Sequence, residues 1–394
     1  MKIESLKIEN FKALKEVSLE VVPEYAVFVG ANGTGKSTLF DVFGFLRDCL
    51  IGNVRQALQA RGSFKEVVSR GCLDEDILIE LKFRMPIANV ERLVTYKLCI
   101  GLLKGQPMVK REVLSYKRGR YGSPFHFLDF AHGKGYAISN EEDFNKPDED
   151  LTREDQKLDA GDILAIKGLG QFERFKAANA FRQLIENWHV SDFHIHAARG
   201  DKSAGYAEHL SVTGDNLPLV AHFLFEQHRE VFDRILETMK RRVPGISDIQ
   251  AKSTEDGRLV LRYQDGAFKD PFIDRYVSDG TIKMFAYLVL LYDPQPHPLL
   301  CVEEPENQLY PQLMLELAEE FGNYTDHGGQ VFVSTHSPDF LNGVKLGKIF
   351  WLRKEDGFTT IHRAQDKELL CDLVKEGDLP GALLNQEFFE AVTL

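Results

Sequence analysis

Apolar residues in this chain gather in short runs that end in polar clusters. Ala26 to Val29, Leu299 to Val302 and Val331 to Val333 are such runs, suited to strands buried on both faces of a parallel sheet. Between 76 and 140 the pattern changes. ILIELKFRM, RLVTYKLCIGLL, PMVKREVLSYKR and PFHFLDF read as strands punctuated by Gly or Pro, and antiparallel hairpins fit them best. Helical spacing links Leu39, Phe43, Leu46 and Leu50, and it returns over 171–188 and 217–241. In the last stretch Leu217, Val220, Leu224 and Phe225 share a face, with Phe232, Ile235 and Leu236 following. ISDIQAKSTEDGRLVLRYQDG predicts a hairpin turning at Asp256-Gly257. Residues 141–160 are acidic and lack aliphatic periodicity, which predicts an exposed loop or a short surface helix. From 278 onward strands and helices alternate again. No repeat and no sustained heptad is present, so a long coiled coil is not expected.

Composition narrows the class. With 394 residues, 43% hydrophobic and 27% charged, the chain can bury a large core, as two domains or one with a sizeable insertion. Five scattered cysteines without a C-x-x-C argue against a disulfide framework or a cysteine zinc site and suit a reducing cytoplasm. MKIESLKIENF has no signal-peptide core. The longest apolar run, Phe285 to Tyr292, is too short to span a bilayer, so no membrane contact is expected. A net charge of −12 disfavours a globally basic nucleic-acid coat and leaves room for a local basic groove.

The chemistry starts after the first buried run. Gly30-Ala-Asn32-Gly33-Thr-Gly35-Lys36-Ser37-Thr38 fits G-x-x-x-x-G-K-[ST]. The glycines let backbone N–H groups converge on phosphate oxygens, Lys36 can reach the β- and γ-phosphates, and the Ser37 hydroxyl can ligate Mg²⁺. The bound anion would sit at the positive end of the following helix. The bland reading, a Gly-rich turn, needs strand, loop and helix to be in register by accident. Glu303 and Glu304 end the second buried run, where ligands bind in open α/β sheets. Glu303 is placed to hold Mg²⁺, Glu304 to orient or deprotonate a water. Neighbouring strand residues point to opposite sides, so the two carboxylates would not share a role. His336 ends the third run and could reach a γ-phosphate or the attacking water, although a histidine there is often structural. Ser278 or Asp279 can cap a helix whose first turn carries Gly280, which could be another anion site but taken by itself reads as a plain helix cap.

The set GANGTGKST, YVSDGTIK, LLCVEEPENQLYP and VFVSTHSPDF, in that order, resembles ABC-class ATPases of the RecF/SMC type. Within that group it is most similar to the OLD-like ATPases, in particular the stand-alone ATPases of bacterial anti-phage gene pairs. The opening MKIESLKIENFKALKEVSLEV resembles the group's first hairpin. The motifs cover roughly 1–50 and 275–345. The resemblance implies an α/β P-loop fold of ABC/RecF type with a β-rich insertion and a helical signature (lid) subdomain. Residues 1–70 would form the N-terminal part of the ATPase head, 71–170 the insertion with its acidic loop, 171–276 the helical lid, and 277–394 the C-terminal part of the head.

It also implies roles. Lys36 and Ser37 would be the Walker A pair, Glu303 the Walker B acid, Glu304 the catalytic glutamate and His336 the switch histidine. Ser278, Asp279, Gly280 and Thr281 would form the signature, and Glu306 and Asn307 would begin the D-loop. Lys12 would add charge near the nucleotide. ATP and Mg²⁺ would be the cofactors, sandwiched in a head-to-tail homodimer, with a separate effector, nuclease or toxin, as partner and DNA as an open further contact. Three departures stand out. Glu303 replaces the usual Asp, as is common in OLD-like members. The Q-loop Gln is not evident at Gln56 or Gln59. The signature reads Ser-Asp-Gly-Thr rather than Ser-Gly-Gly-Gln, which points away from transporters. The stretch after His336 is too short for a Toprim nuclease domain and holds no Asp-x-Asp.

The competing reading is a self-contained nucleic-acid-processing enzyme with a metal site in its middle region. WHVSDFHIHAARG would put His194 and His196 on one strand face, with His189, Asp192 and His209 near. Histidine clusters without a repeated ligand spacing are more often packing and surface residues. Arg199 could contact phosphate or be surface charge. The best basic patches are Met239 to Pro244 and Tyr116 to Gly122, each more often a solvated face than a binding site.

Overall fold

The computed structural model describes residues 2–87, 90–116, 125–139, 152–203 and 205–389. Two compact units are present: Met1–Trp188 with Phe350–Arg363, and His189–Ile349 with Ala364–Leu394.

The first unit is built on an antiparallel sheet. Its strands are β1 (Ile3–Phe11), β2 (Leu14–Glu20), β4 (Ile77–Ile87), β5 (Val90–Leu103), β6 (Gln106–Tyr116), β7 (Phe125–Ala131), β8 (Lys134–Ile138) and β9 (Arg153–Lys157), in the order β2-β1-β4-β5-β6-β7-β8-β9. The strand-like runs over 76–140 are therefore strands, and they share a sheet with the opening hairpin. Alternation sets the faces: Leu14, Val17 and Leu19 of β2 are buried while Lys15, Glu16 and Ser18 are exposed. The helix Lys176–Glu186 covers the inner face, with Phe181 stacked on Phe83 at 4.6 Å and against Tyr96 at 4.5 Å. One expectation fails. Within 141–160, residues 153–157 are neither loop nor helix but strand β9, pairing with β8; residues 141–151 lie outside the described residues. The unit also holds β3 (Tyr25–Val29), β17 (Ile349–Glu355) and β18 (Phe358–Arg363), adjacent in that order. All five residues of β3 are buried.

The second unit centres on a parallel trio, β10 (His189–Ser191), β15 (Leu300–Glu303) and β16 (Val331–Thr335), in which Glu303 pairs with Ser334. A smaller antiparallel sheet contains β12 (Ile246–Ser253) and β13 (Arg258–Asp265), which turn at Asp256-Gly257 as expected, with β11 (Lys202–Ser203) and β14 (Phe272–Ile273) on β13. The helix Asp279–Leu291 is buried at every position from Ile282 to Leu291, the mark of a helix inside a core rather than on its surface. Tyr263 of β13 meets its Phe285 edge-on at 6.1 Å. Among the described residues no helix is long and apolar enough to cross a membrane.

Candidate functional site

In the first unit, β3 runs into the Gly-rich loop and then into the helix Lys36–Ile51. Leu39, Phe43, Leu46 and Leu50 are all buried, so the helical spacing read from sequence is the inner face. Gly35 caps this helix in the left-handed region at φ 103°, and no side chain caps it. A Cβ there would also lie 2.3 Å from the Thr359 hydroxyl, so glycine is required twice over. That hydroxyl donates to the Thr34 carbonyl at 2.7 Å, while the Thr359 N–H donates to the Ala13 carbonyl at 2.8 Å. Thr359, buried at the start of β18, thus ties the loop to the opening hairpin. The Lys36 ammonium folds over the loop and donates to the carbonyls of Gly30 at 2.7 Å and Ala31 at 3.2 Å. Asn32, Gly33 and Ser37 are exposed, Gly30 and Thr38 half-buried. Lys12 is 2.6 Å from the Asp41 carboxylate, which Arg61 also contacts at 2.7 Å. The loop's shape and donors fit a polyphosphate: a left-handed cap clears space for it, and a lysine lies across the loop.

The second unit gathers the other candidates. Glu304 lies just beyond β15 at φ 43°, a backbone region costly for a residue with a Cβ. Its N–H donates to the Ser334 carbonyl at 2.9 Å. Its carboxylate lies 2.8 Å from His336 Nε2 and accepts from Asn307 Nδ2 at 3.0 Å. Glu306 accepts from the Thr335 hydroxyl at 2.9 Å and the His336 N–H at 2.6 Å, fixing the backbone that carries the histidine. Glu304, Asn307 and His336 therefore come together, with Glu303 one residue back.

Ser278 is the cap of the helix Asp279–Leu291, its hydroxyl accepting from the Thr281 N–H at 3.2 Å. A Cβ on Gly280 would come 3.0 Å from the Gln308 carbonyl, so the helix start packs closely on the loop after Glu304. Lys283, on the same helix, is a residue the sequence reading left without a role. It is buried, and its ammonium donates to the Asn307 carbonyl at 2.6 Å. Burial lowers its pKa to about 8, against the opposing pull of Glu306 and Glu304. Its lysine identity was visible in YVSDGTIK; its partner, 24 residues away, was not.

Several expectations need correction. Arg199 is neither a free surface charge nor an open phosphate contact. It donates to the Asp274 carbonyl, to the Val277 carbonyl at 2.8 Å, and to the Asp279 carboxylate. It thereby neutralises the one acid of the signature segment, which would otherwise repel an anion. His194 and His196 do not share a strand face, because β10 ends at Ser191 and residues Ile195–Ala198 are helical. His194 pairs with Asp192 at 3.3 Å on the exposed surface, while His189 is buried. In the patch Met239 to Pro244, Met239 is buried and Arg242 pairs with Glu316 at 2.6 Å, which leaves Lys240 and Arg241 as its exposed cations. The patch after Tyr116 lies outside the described residues. Gln56 and Gln59 sit exposed on the helix Val54–Gln59.

Comparison with known proteins fits this geometry. The family model described as "AAA domain, putative AbiEii toxin, Type IV TA system" matches residues 117–342, more than half of the chain. The chain belongs to this family. A second model, described as "AAA ATPase domain", matches residues 1–180. A search of curated proteins finds no match. Among solved structures, the fold is similar to an Smc head bound to the C-winged helix domain of ScpA, with a TM-score of 0.55 and 15% identity over 92% of this chain and 98% of that one. An Smc head with an extended coiled coil, bound to the C-terminal domain of ScpA derived from Pyrococcus furiosus, gives 0.51 and 15%, covering 95% and 99%. The fold is therefore that of an Smc head, in a chain that matches AAA ATPase domain models.

Proposed function

We propose that this chain binds and hydrolyses ATP with Mg²⁺ and works as a switch between open and closed head-to-tail dimers. The observation that carries the reading is the Glu304–His336 contact at 2.8 Å, with Asn307 on the same carboxylate. Phosphoryl transfer to water needs an oriented nucleophile and an acceptor for its proton. Glu304 takes that proton as the water oxygen bonds to the γ-phosphorus. The bond to the bridging oxygen breaks and ADP leaves with the electron pair. His336 holds the carboxylate and can turn to the γ-phosphate. Lys36 and the loop of Gly30, Asn32, Gly33, Gly35 and Thr38 hold the phosphates, with Lys12 adding positive charge. Ser37 and Glu303 would each be an Mg²⁺ ligand, and the ion would offset phosphate charge.

Ser278, Asp279 and Gly280 serve the partner's nucleotide. Ser278 presents a hydroxyl at a helix start, and Arg199 removes the charge objection to Asp279. Closure over ATP would alter the surface seen by a third protein, and a partner preferring one form is then held or released by hydrolysis. We place the chain among the OLD-like ATPases of anti-phage gene pairs, controlling a separate nuclease or toxin. The toxin and Type IV TA system named in the family description sit with such a setting.

The test mixes two inactive variants, Lys36→Ala and Ser278→Arg. Each homodimer has two broken sites, whereas the heterodimer has one site with both defects and one intact. Partial recovery of ATPase activity on mixing is expected. No recovery, with heterodimers demonstrated by a tag on each variant, would overturn the composite site.

A further inference from the structure

We propose that the second unit carries a binding site for a zinc-class divalent ion, formed by His209, Asp293 and His297. One ligand atom from each residue lies within 4.8 Å of the other two. Two imidazoles and a carboxylate are a donor set that suits zinc and its neighbours and not Mg²⁺, which prefers oxygen ligands. Ligand atoms around a tetrahedral ion at about 2.0–2.1 Å sit roughly 3.3 Å apart. His209 Nδ1 and Asp293 Oδ2 lie 2.7 Å apart, already near that spacing.

Each ligand residue has a further contact of its own. The His209 carbonyl accepts from Asn216 Nδ2 at 2.9 Å. The second oxygen of Asp293 accepts from the Gln295 N–H at 2.8 Å. The His297 carbonyl accepts from the Tyr324 hydroxyl at 3.0 Å, and its ring stacks on His189 at 4.8 Å. Such supports orient metal ligands and keep them from collapsing elsewhere. The Asp293 side chain is only 4% exposed while that of His209 is 40% exposed, so a buried carboxylate sits beside an imidazole open to solvent.

The position gives the site a purpose. DPQPHP, residues 293–298, links the helix that begins with the signature to β15, whose far end carries Glu303. An ion here staples that link to the segment before the helix Leu217–Gln227. It sits at the end of β15 opposite the Glu303–Glu304 pair, and so is separate from the nucleotide Mg²⁺.

Tag-free full-length protein, stripped with chelator and dialysed, should take up one zinc per chain without nucleotide. Its Tm should rise with zinc and not with Mg²⁺. Co²⁺ should give visible d–d bands of a tetrahedral site. His209→Gln and Asp293→Asn should each weaken zinc binding by more than the roughly 10–100-fold that loss of a supporting partner costs. His209→Gln, at the exposed ligand, should keep the apo far-UV spectrum and Tm of the parent. No saturable zinc uptake by the parent chain would overturn the site. So would uptake that His209→Gln and Asp293→Asn leave unchanged.

Discussion

Lys283 shows how one buried charge can join two motifs. It enters the core from the first turns of the helix Asp279–Leu291 and reaches the backbone just after Glu304. Burial lowers its pKa from 10.5 to about 8. Between those values the unfolded chain holds a proton that the folded chain has lost, so stability gains with rising pH across that window. Lys283→Met should flatten this gain, read as denaturant midpoints on either side of the window; an unchanged pH slope would contradict the assignment. The same variant should slow ATP turnover by loosening Asn307 on Glu304. The motifs could be read because they are local: the Gly-rich loop lies within nine positions, and Glu303 ends its strand with Glu304 directly after it. Lys283, Arg199 and Thr359 act through partners 24, 80 and 325 residues away, which no local pattern encodes.

At the level of elements, hydrophobic period predicted those with a buried side and missed those without. β9, Arg-Glu-Asp-Gln-Lys, has no apolar residue and no buried position. It is the edge of its sheet, where charge is the usual defence against further pairing, so its strand character comes from β8 alone. The turn after β10 was hidden for a similar reason, since alternating His and apolar residues fit a strand as well as a short helix. Glu112 on β6 is a second feature visible only after folding. It is fully buried and accepts from the backbone of Ala165 and Ile166 and from Tyr96. Burial raises its pKa from 4.5 to about 7, with those three hydrogen bonds opposing. Its contribution to stability is fully present below 4.5 and is lost as pH rises through 7. Glu112→Gln should remove that dependence, so thermal melts of the variant should vary less with pH in this window than those of the parent. A parent melt that is flat there would contradict the raised pKa.

The molecule as a whole carries two sets of residues suited to different work. One unit offers a Gly-rich loop before a helix; the other offers a carboxylate held by a histidine and an asparagine, and a capped helix start. The Smc-head fold carries both, and the sequence order of the four motifs foretold that fold although the middle of the chain gave only its general pattern. A partner protein would leave less trace in the sequence, because surfaces that meet other proteins need no periodicity. The central claim is that ATP draws two chains together through Ser278. Light scattering on Glu304→Gln, which should bind ATP and hydrolyse it slowly, tests this most directly. We predict a doubling of mass with ATP and Mg²⁺, reversed by adding Ser278→Arg to the same chain. A mass that ignores ATP, or a dimer that forms equally well with Ser278→Arg, would contradict it.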